Sequence, residues 1–183
     1  MISRVSHRLL SASPNKYSDT LLVGQSHDCP TNNYGIFLWK QVTAQLIKDR
    51  LIAFQVETGI RSSEYWLGSG AAMVMHGLRD HTQDIDIGVE NERVFLLLCA
   101  KLQLVPIYKQ MQDRYLGGTF MISLPKLDID VRVEYYTHHS ELTMVNGIYV
   151  YTPKMLLQQK QAFNRPKDQE DIKTLERVIK LYS

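Results

Sequence analysis

From Gln83 to Glu90 the chain alternates one for one: Ile85, Ile87 and Val89 occupy one set of positions, and Asp84, Asp86 and Gly88 the other. A period of two belongs to a β-strand, whose successive side chains leave on opposite faces. A fold containing this segment must bury one face of a sheet and leave two carboxylates together on the other. They stand roughly 7 Å apart, from a rise of about 3.3 Å per residue. That spacing lets both reach hard cations lying between them. Aspartate is disfavoured in strands, and like charges on one face repel, so a cation would relieve a real cost. Mg²⁺ takes oxygen ligands of this kind together with substrate phosphates. Alone, Asp-x-Asp reads more simply as a wet strand face.

The preceding elements change that reading. Tyr65-Trp66-Leu67 is short, bulky and apolar, as a buried strand is, and it ends at Gly68-Ser69-Gly70. A helix follows through Ala71-Ala72-Met73-Val74-Met75-His76 and stops at Gly77. A strand that turns through small residues into a helix collects backbone N–H groups at one point, which is an anion site. Glycine lets a phosphate approach the backbone, and Ser69 offers one more hydrogen bond. Either feature alone is weak; the two in consecutive elements point to one site for a metal and a nucleotide.

Leu127 to Glu134 alternates again, with Leu127, Ile129, Val131 and Val133 on one side and Asp128, Asp130, Arg132 and Glu134 on the other. If this strand lies beside Asp84–Asp86, one of its aspartates joins the cluster as a third carboxylate. It would hold a metal and take a proton from an attacking hydroxyl. Alternation places Asp128 and Asp130 on one face and does not separate them. Asp130 is preferred because it lies further inside the apolar strand. The structural alternative pairs one of them with Arg132 or a nearby lysine.

The remaining elements frame this site. Residues 36–57 are expected to be helical, with Val42, Leu46 and Leu51/Ile52 near helical spacing and Gly59 as a stop. A helix is expected over 91–104. Strands 105–115 and 119–124 flank Gly117-Gly118 as a hairpin. A strand at Ile148–Tyr151 follows the Asn146-Gly147 turn. Thr152-Pro153 caps a helix to about Phe163, and Pro166 opens a last helix carrying Ile172, Leu175, Val178 and Ile179. The expected class is α+β with an α/β-like layout: a mixed sheet flanked by helices, with C-terminal helices. The division expected is an N-terminal arm and helix over 1–60 and a body over 61–183. The arm, with its apolar patch Leu21-Leu22-Val23, packs on the body or on another chain, either a second copy or a partner protein.

Composition bounds rather than directs. The 183 residues are 44% hydrophobic and 22% charged, enough for a sizeable core, and a net charge of +2 does not argue for a nucleic-acid partner. Cys29 and Cys99 have no spacing that implies a disulfide or zinc site. No run approaches the ~20 apolar residues of a membrane span, so a cytoplasmic protein with no membrane role is expected. His76 reads as a helix-end residue and His138-His139 as a loop. Tyr135-Tyr136, Tyr149 and Tyr151 serve either to stack a base or to pack strands.

The run from Leu67 to Ile87 joins Gly-Ser-Gly, an Ala-rich helix, His76-Gly77, Arg79-x-x-Thr82 and Asp84-Ile85-Asp86. It resembles the signature of the DNA polymerase β-like nucleotidyltransferase superfamily. The likeness is greatest to its small bacterial branch, with toxin-type nucleotidyltransferases of abortive infection and lincosamide and aminoglycoside adenylyltransferases. Tyr151–Lys160 and Arg165–Ile172 are similar to the tail of these proteins, so the resemblance spans about residues 64–180. Gly-Ser-Gly departs from the commoner Gly-Gly of that branch.

The resemblance implies transfer of a nucleoside monophosphate from an NTP to a hydroxyl, with release of pyrophosphate. Gly68 and Ser69 would hold the triphosphate, and Asp84, Asp86 and Asp130 (or Asp128) two Mg²⁺ ions, with Mn²⁺ able to replace them. Arg79 and Lys160 would face phosphates, Lys167 with less support, while Asp168 and Asp171 organise the last helix. The plainer reading has Arg79 solvated and Lys160 snorkelling from its helix. The acceptor is left open between an antibiotic-like small molecule, a protein and a tRNA. Two alternatives stand beside the enzyme: a non-catalytic nucleotide- or partner-binding module of the same fold, such as an antitoxin or regulator, and, with less support, a metal-dependent nuclease.

Overall fold

Residues 41–109, 119–134 and 139–182 are described by the computed structural model. The expected arm at 1–35, the Gly117-Gly118 turn and Tyr135-Tyr136 lie outside these residues.

The first elements are β1 (Val42–Thr43) and α1 (Ala44–Thr58). The helix begins later than its periodicity implies, because the Thr43 side chain accepts from the Leu46 N–H at 3.4 Å and so sets the N-cap. Val42 therefore belongs to an extended pair, with Val42–Thr43 antiparallel to β3 (His81–Thr82). Ile47, Leu51 and Phe54 form the buried stripe of α1, while Ile52 faces solvent. Gly59 ends the helix in the left-handed region. Although α1 falls within the expected N-terminal segment, its stripe lies in the same core cluster as Leu67, Ile85 and Val131.

Next come β2 (Trp66–Leu67), α2 (Ser69–Met75), β4 (Ile85–Val89), α3 (Glu92–Leu102), β5 (Ile107–Lys109), β6 (Thr119–Leu124) and β7 (Ile129–Val133). After these follow β8 (Leu142–Val145), β9 (Ile148–Tyr151), α4 (Pro153–Phe163) and α5 (Gln169–Leu181). Strand β8 was not expected. It pairs with β9 across Asn146-Gly147, both residues with positive φ, as a two-residue hairpin requires. Pro166 opens a single 3₁₀ turn, and α5 starts one turn later than expected.

The main sheet runs β5-β6-β7-β4-β2-β9-β8. It is mixed: β4 is parallel to β7 and β2 to β9, and the other pairs are antiparallel. This is the α+β arrangement expected, a mixed sheet flanked by helices. Ile85, Ile87 and Val89 of β4 and Ile129, Val131 and Val133 of β7 are all buried on one face. Helix α2 is apolar all round because every residue from Gly70 to Met75 is buried. Among the described residues no helix is long and apolar enough to cross a membrane.

Candidate active site

The turn after β2 carries the first half of the site. Gly68 is extended and caps α2, and Ser69 sits at φ 50, in the left-handed region. A serine there is strained by roughly 1–2 kcal/mol, and such outliers persist where surrounding structure fixes them. A left-handed residue followed by helical ones turns consecutive N–H groups toward one point, a concavity that suits an anion. Gly70 is required by space: a Cβ there would lie 2.4 Å from Thr82 Oγ1. The same added atom would stand 3.8 Å from Arg79 Nη1, so Arg79 borders this turn. The Gly68 N–H donates to the Asp86 carbonyl at 3.0 Å, joining the turn to the carboxylate strand.

Asp86 and Asp130 are Cα partners in the parallel β4–β7 ladder. Their backbones are about 5 Å apart, the spacing of neighbouring strands, and both side chains leave the face opposite the buried isoleucines. Asp84, just before β4, completes the group. Its side chain reaches solvent, yet burial raises its pKa, and the charges of Asp86 and Asp130 raise it further, against Lys167 and Arg132. Neither Asp84 nor Asp130 has a cationic partner among the described residues.

Asp128 stands elsewhere, and the alternation expected through it fails. It has φ 56, in the turn before β7, and its carboxylate pairs with Arg50 of α1 at 3.3 Å. Its carbonyl accepts from the Ile85 N–H at 2.8 Å, so this turn aligns the start of β4 with β7. Of the two candidates, only Asp130 is in register with Asp86.

Arg132 pairs with Asp86 rather than with Asp128 or Asp130. Burial opposes its charge, but Asp86 and Glu134 overcome this and hold the guanidinium protonated. Glu134 Oε2 accepts from Trp66 Nε1 at 3.0 Å and from the Tyr151 hydroxyl. Gly88 makes room for this group, since a Cβ there would fall 2.4 Å from Trp66 Nε1 and 2.8 Å from Glu134 Oε2. The Tyr151 ring meanwhile packs against Gly68. Tyr151 is thus committed to packing and to Glu134. Sequence periodicity placed Arg132 and Glu134 on this face but carried no sign of their partners.

Lys160 does not snorkel from its helix. It is buried, and its Nζ lies 2.6 Å from Asp171 and 3.2 Å from Asp168, across the α4–α5 hairpin. Asp168 also receives Arg165 at 2.6 Å. Burial pushes its pKa up, but Arg165 and Lys160 prevail and hold it below the usual carboxylate range. Arg79 reaches Asp171 at 3.4 Å while remaining well exposed. The two aspartates therefore organise the last helix as expected. Lys167 and Arg165 send their charge toward Asp84 and Asp86, respectively. His76, at the end of α2, bonds through its ring to the Tyr151 carbonyl of β9 at 2.8 Å rather than to a carbonyl of its own helix.

Among the described residues no three His, Cys, Asp or Glu side chains already converge on a metal position. The donor chemistry nevertheless fits a hard divalent ion: three carboxylates on adjacent elements, two of them without a cationic partner among the described residues. Asp86 would have to turn from Arg132 to join them.

No family model matches this chain, and no curated protein does. Its fold is similar to the crystal structure of JHP933 from Helicobacter pylori, at 13% identity and a TM-score of 0.42 over 70% of this chain and 64% of that one. It is also similar to a structure described as a "putative nucleotidyltransferase from H. pylori", at 12% identity and a TM-score of 0.36 over 64% of this chain and 56% of that one. The chain thus spans less than two thirds of either. A likeness at this level does not assign an activity.

Proposed function

We propose that this chain is a nucleotidyltransferase that moves a nucleoside monophosphate from an NTP to a hydroxyl, releasing pyrophosphate. The observation that carries the reading is the register of Asp86 with Asp130, beside Asp84 and bonded through the strand to the Gly68–Ser69 turn. Asp84, Asp86 and Asp130 are the residues that would hold Mg²⁺, two ions in the full site, with Mn²⁺ as a substitute. Such ions would neutralise charge on the phosphates and lower the pKa of an attacking hydroxyl. The turn receives phosphate oxygens, with Arg79 at its border and the charge of Lys167 acting on Asp84. Asp130 accepts the proton as the acceptor oxygen bonds the α-phosphorus; the α–β bridging bond breaks and pyrophosphate leaves. Catalysis is mostly positioning and charge neutralisation.

The acceptor belongs to the classes that go with the small bacterial branch: an antibiotic-like molecule, as in resistance enzymes, or a protein or tRNA, as in toxin–antitoxin systems, in a cytoplasmic setting. Lys160 is buried and Arg79 and Arg165 are ion-paired, which favours a compact acceptor over a long nucleic acid.

The Arg132–Asp86 pair favours one second reading, a nucleotide- or partner-binding module, because it neutralises a carboxylate without metal. Incubation with each α-labelled NTP, Mg²⁺ or Mn²⁺, and panels of RNA, protein and antibiotics separates the two. The transferase reading expects label on an acceptor, lost in Asp86→Ala. Tight NTP binding without transfer to any acceptor would establish the module instead.

A further inference from the structure

Ser123 lies on β6, directly across from Asp130 in the antiparallel β6–β7 ladder. Facing residues in such a pair have Cβ atoms about 5 Å apart, close enough for a serine to touch an aspartate. Its hydroxyl donates to Asp130 Oδ1, and the residue is otherwise exposed. The sheet order β6-β7-β4 puts Ser123 on one side of Asp130 and Asp86 on the other.

We infer that Ser123 is a positioning residue for the third carboxylate: it holds Asp130 by one oxygen and leaves the other turned toward Asp86. The inference rests on the transferase reading for its consequence, though not for its geometry. An aspartate carboxylate has a broad two-fold torsion about its last bond. A single hydroxyl donor to the ionised group gives a short, charge-assisted bond that selects one orientation. Arg132 supplies the need for such a restraint. It lies on the same face of β7 and already draws Asp86. Without Ser123, Asp130 is free to swing toward that guanidinium and out of reach of an acceptor hydroxyl.

The test compares Ser123→Ala with Ser123→Thr, which keeps the hydroxyl and suits a strand. Outer residues that orient ligands typically cost about 10–100-fold when removed. The expected result is a kcat lower by about that factor in Ser123→Ala, with KM for NTP unchanged, thermal stability unchanged and kcat recovered in Ser123→Thr. A second readout needs no activity. In metal-free protein, the Asp130 carboxyl ¹³C resonance, assigned by its loss in Asp130→Asn, should move in Ser123→Ala and stay in Ser123→Thr. An unmoved resonance in Ser123→Ala overturns the inference, as does an equal loss of kcat in both variants or a shifted resonance with kcat intact. If the wild-type chain transfers no nucleotide, the transferase reading falls while the resonance comparison still decides whether Ser123 orients Asp130.

Discussion

The Gly68 N–H donates to the Asp86 carbonyl at 3.0 Å, so the turn proposed to receive phosphates and the strand proposed to bind metal are bonded neighbours. Asp130 then stands beside Asp86 through the parallel ladder. Three segments far apart in sequence reach one place because β4 pairs with both β2 and β7.

Asp128 and Asp130 should separate cleanly on mutation. Asp130→Asn is expected to lower turnover by about 10²–10⁴-fold, the range for loss of a positioned base. Asp128→Asn should leave turnover near wild type and lower stability by at most about 1 kcal/mol, through the lost ion pair, since Arg50 keeps its bond to the Lys126 carbonyl. Steady-state kinetics with urea unfolding on both variants checks this. The opposite ranking would place the third carboxylate at Asp128.

Lys160 should behave as a structural residue. Removing one member of a buried ionic cluster leaves the other charges uncompensated, so Lys160→Met is expected to cost about 3–5 kcal/mol. Arg79→Ala, at an exposed pair, should cost at most about 1 kcal/mol while raising KM for NTP. Urea midpoints and KM measured side by side would show it. A stable Lys160→Met with raised KM would return Lys160 to the phosphate site.

Two carboxylates predict opposite pH trends. Asp84 has a raised pKa in the fold, so its favourable contribution is complete at acid pH and is lost as pH rises through the raised value. Asp84→Asn should therefore melt with the wild type at low pH and above it at neutral pH, in metal-free buffer. Asp168 has a lowered pKa, so its contribution holds above the usual carboxylate range and is lost as pH falls below it. Asp168→Asn should flatten the acid limb of the stability curve. Melting curves from acid to neutral pH test both signs.

Gly88 should accept no larger residue. Gly88→Ala drives a methyl into Trp66 Nε1 and Glu134 Oε2, for an expected cost of about 1–3 kcal/mol. Trp66 fluorescence should report the displaced indole. An unshifted spectrum with wild-type stability would contradict the packing described here.

What the sequence disclosed and what it hid follow from range. Asp84, Asp86 and the turn at Gly68 were legible because one-sided burial writes a period of two into β4 and small residues mark the strand end. Asp128 was misplaced because alternation cannot register a left-handed turn, here held by Arg50 from a distant helix. Strand β8 was missed since its residues are only half buried and scarcely alternate. Lys160 looked available because Asp168 and Asp171 meet it only once α4 and α5 close into a hairpin. Ser123 needed the β6–β7 register, which no local pattern encodes.

As proposed, the Gly68–Ser69 turn and Asp84, Asp86 and Asp130 form one site for a metal and a nucleotide. Calorimetric titration of a non-hydrolysable NTP analogue, with and without Mg²⁺, tests it most directly. One-to-one binding that requires Mg²⁺ and is lost in Asp84→Asn is expected. Binding that is absent, or that is unchanged by both Mg²⁺ removal and Asp84→Asn, would contradict it.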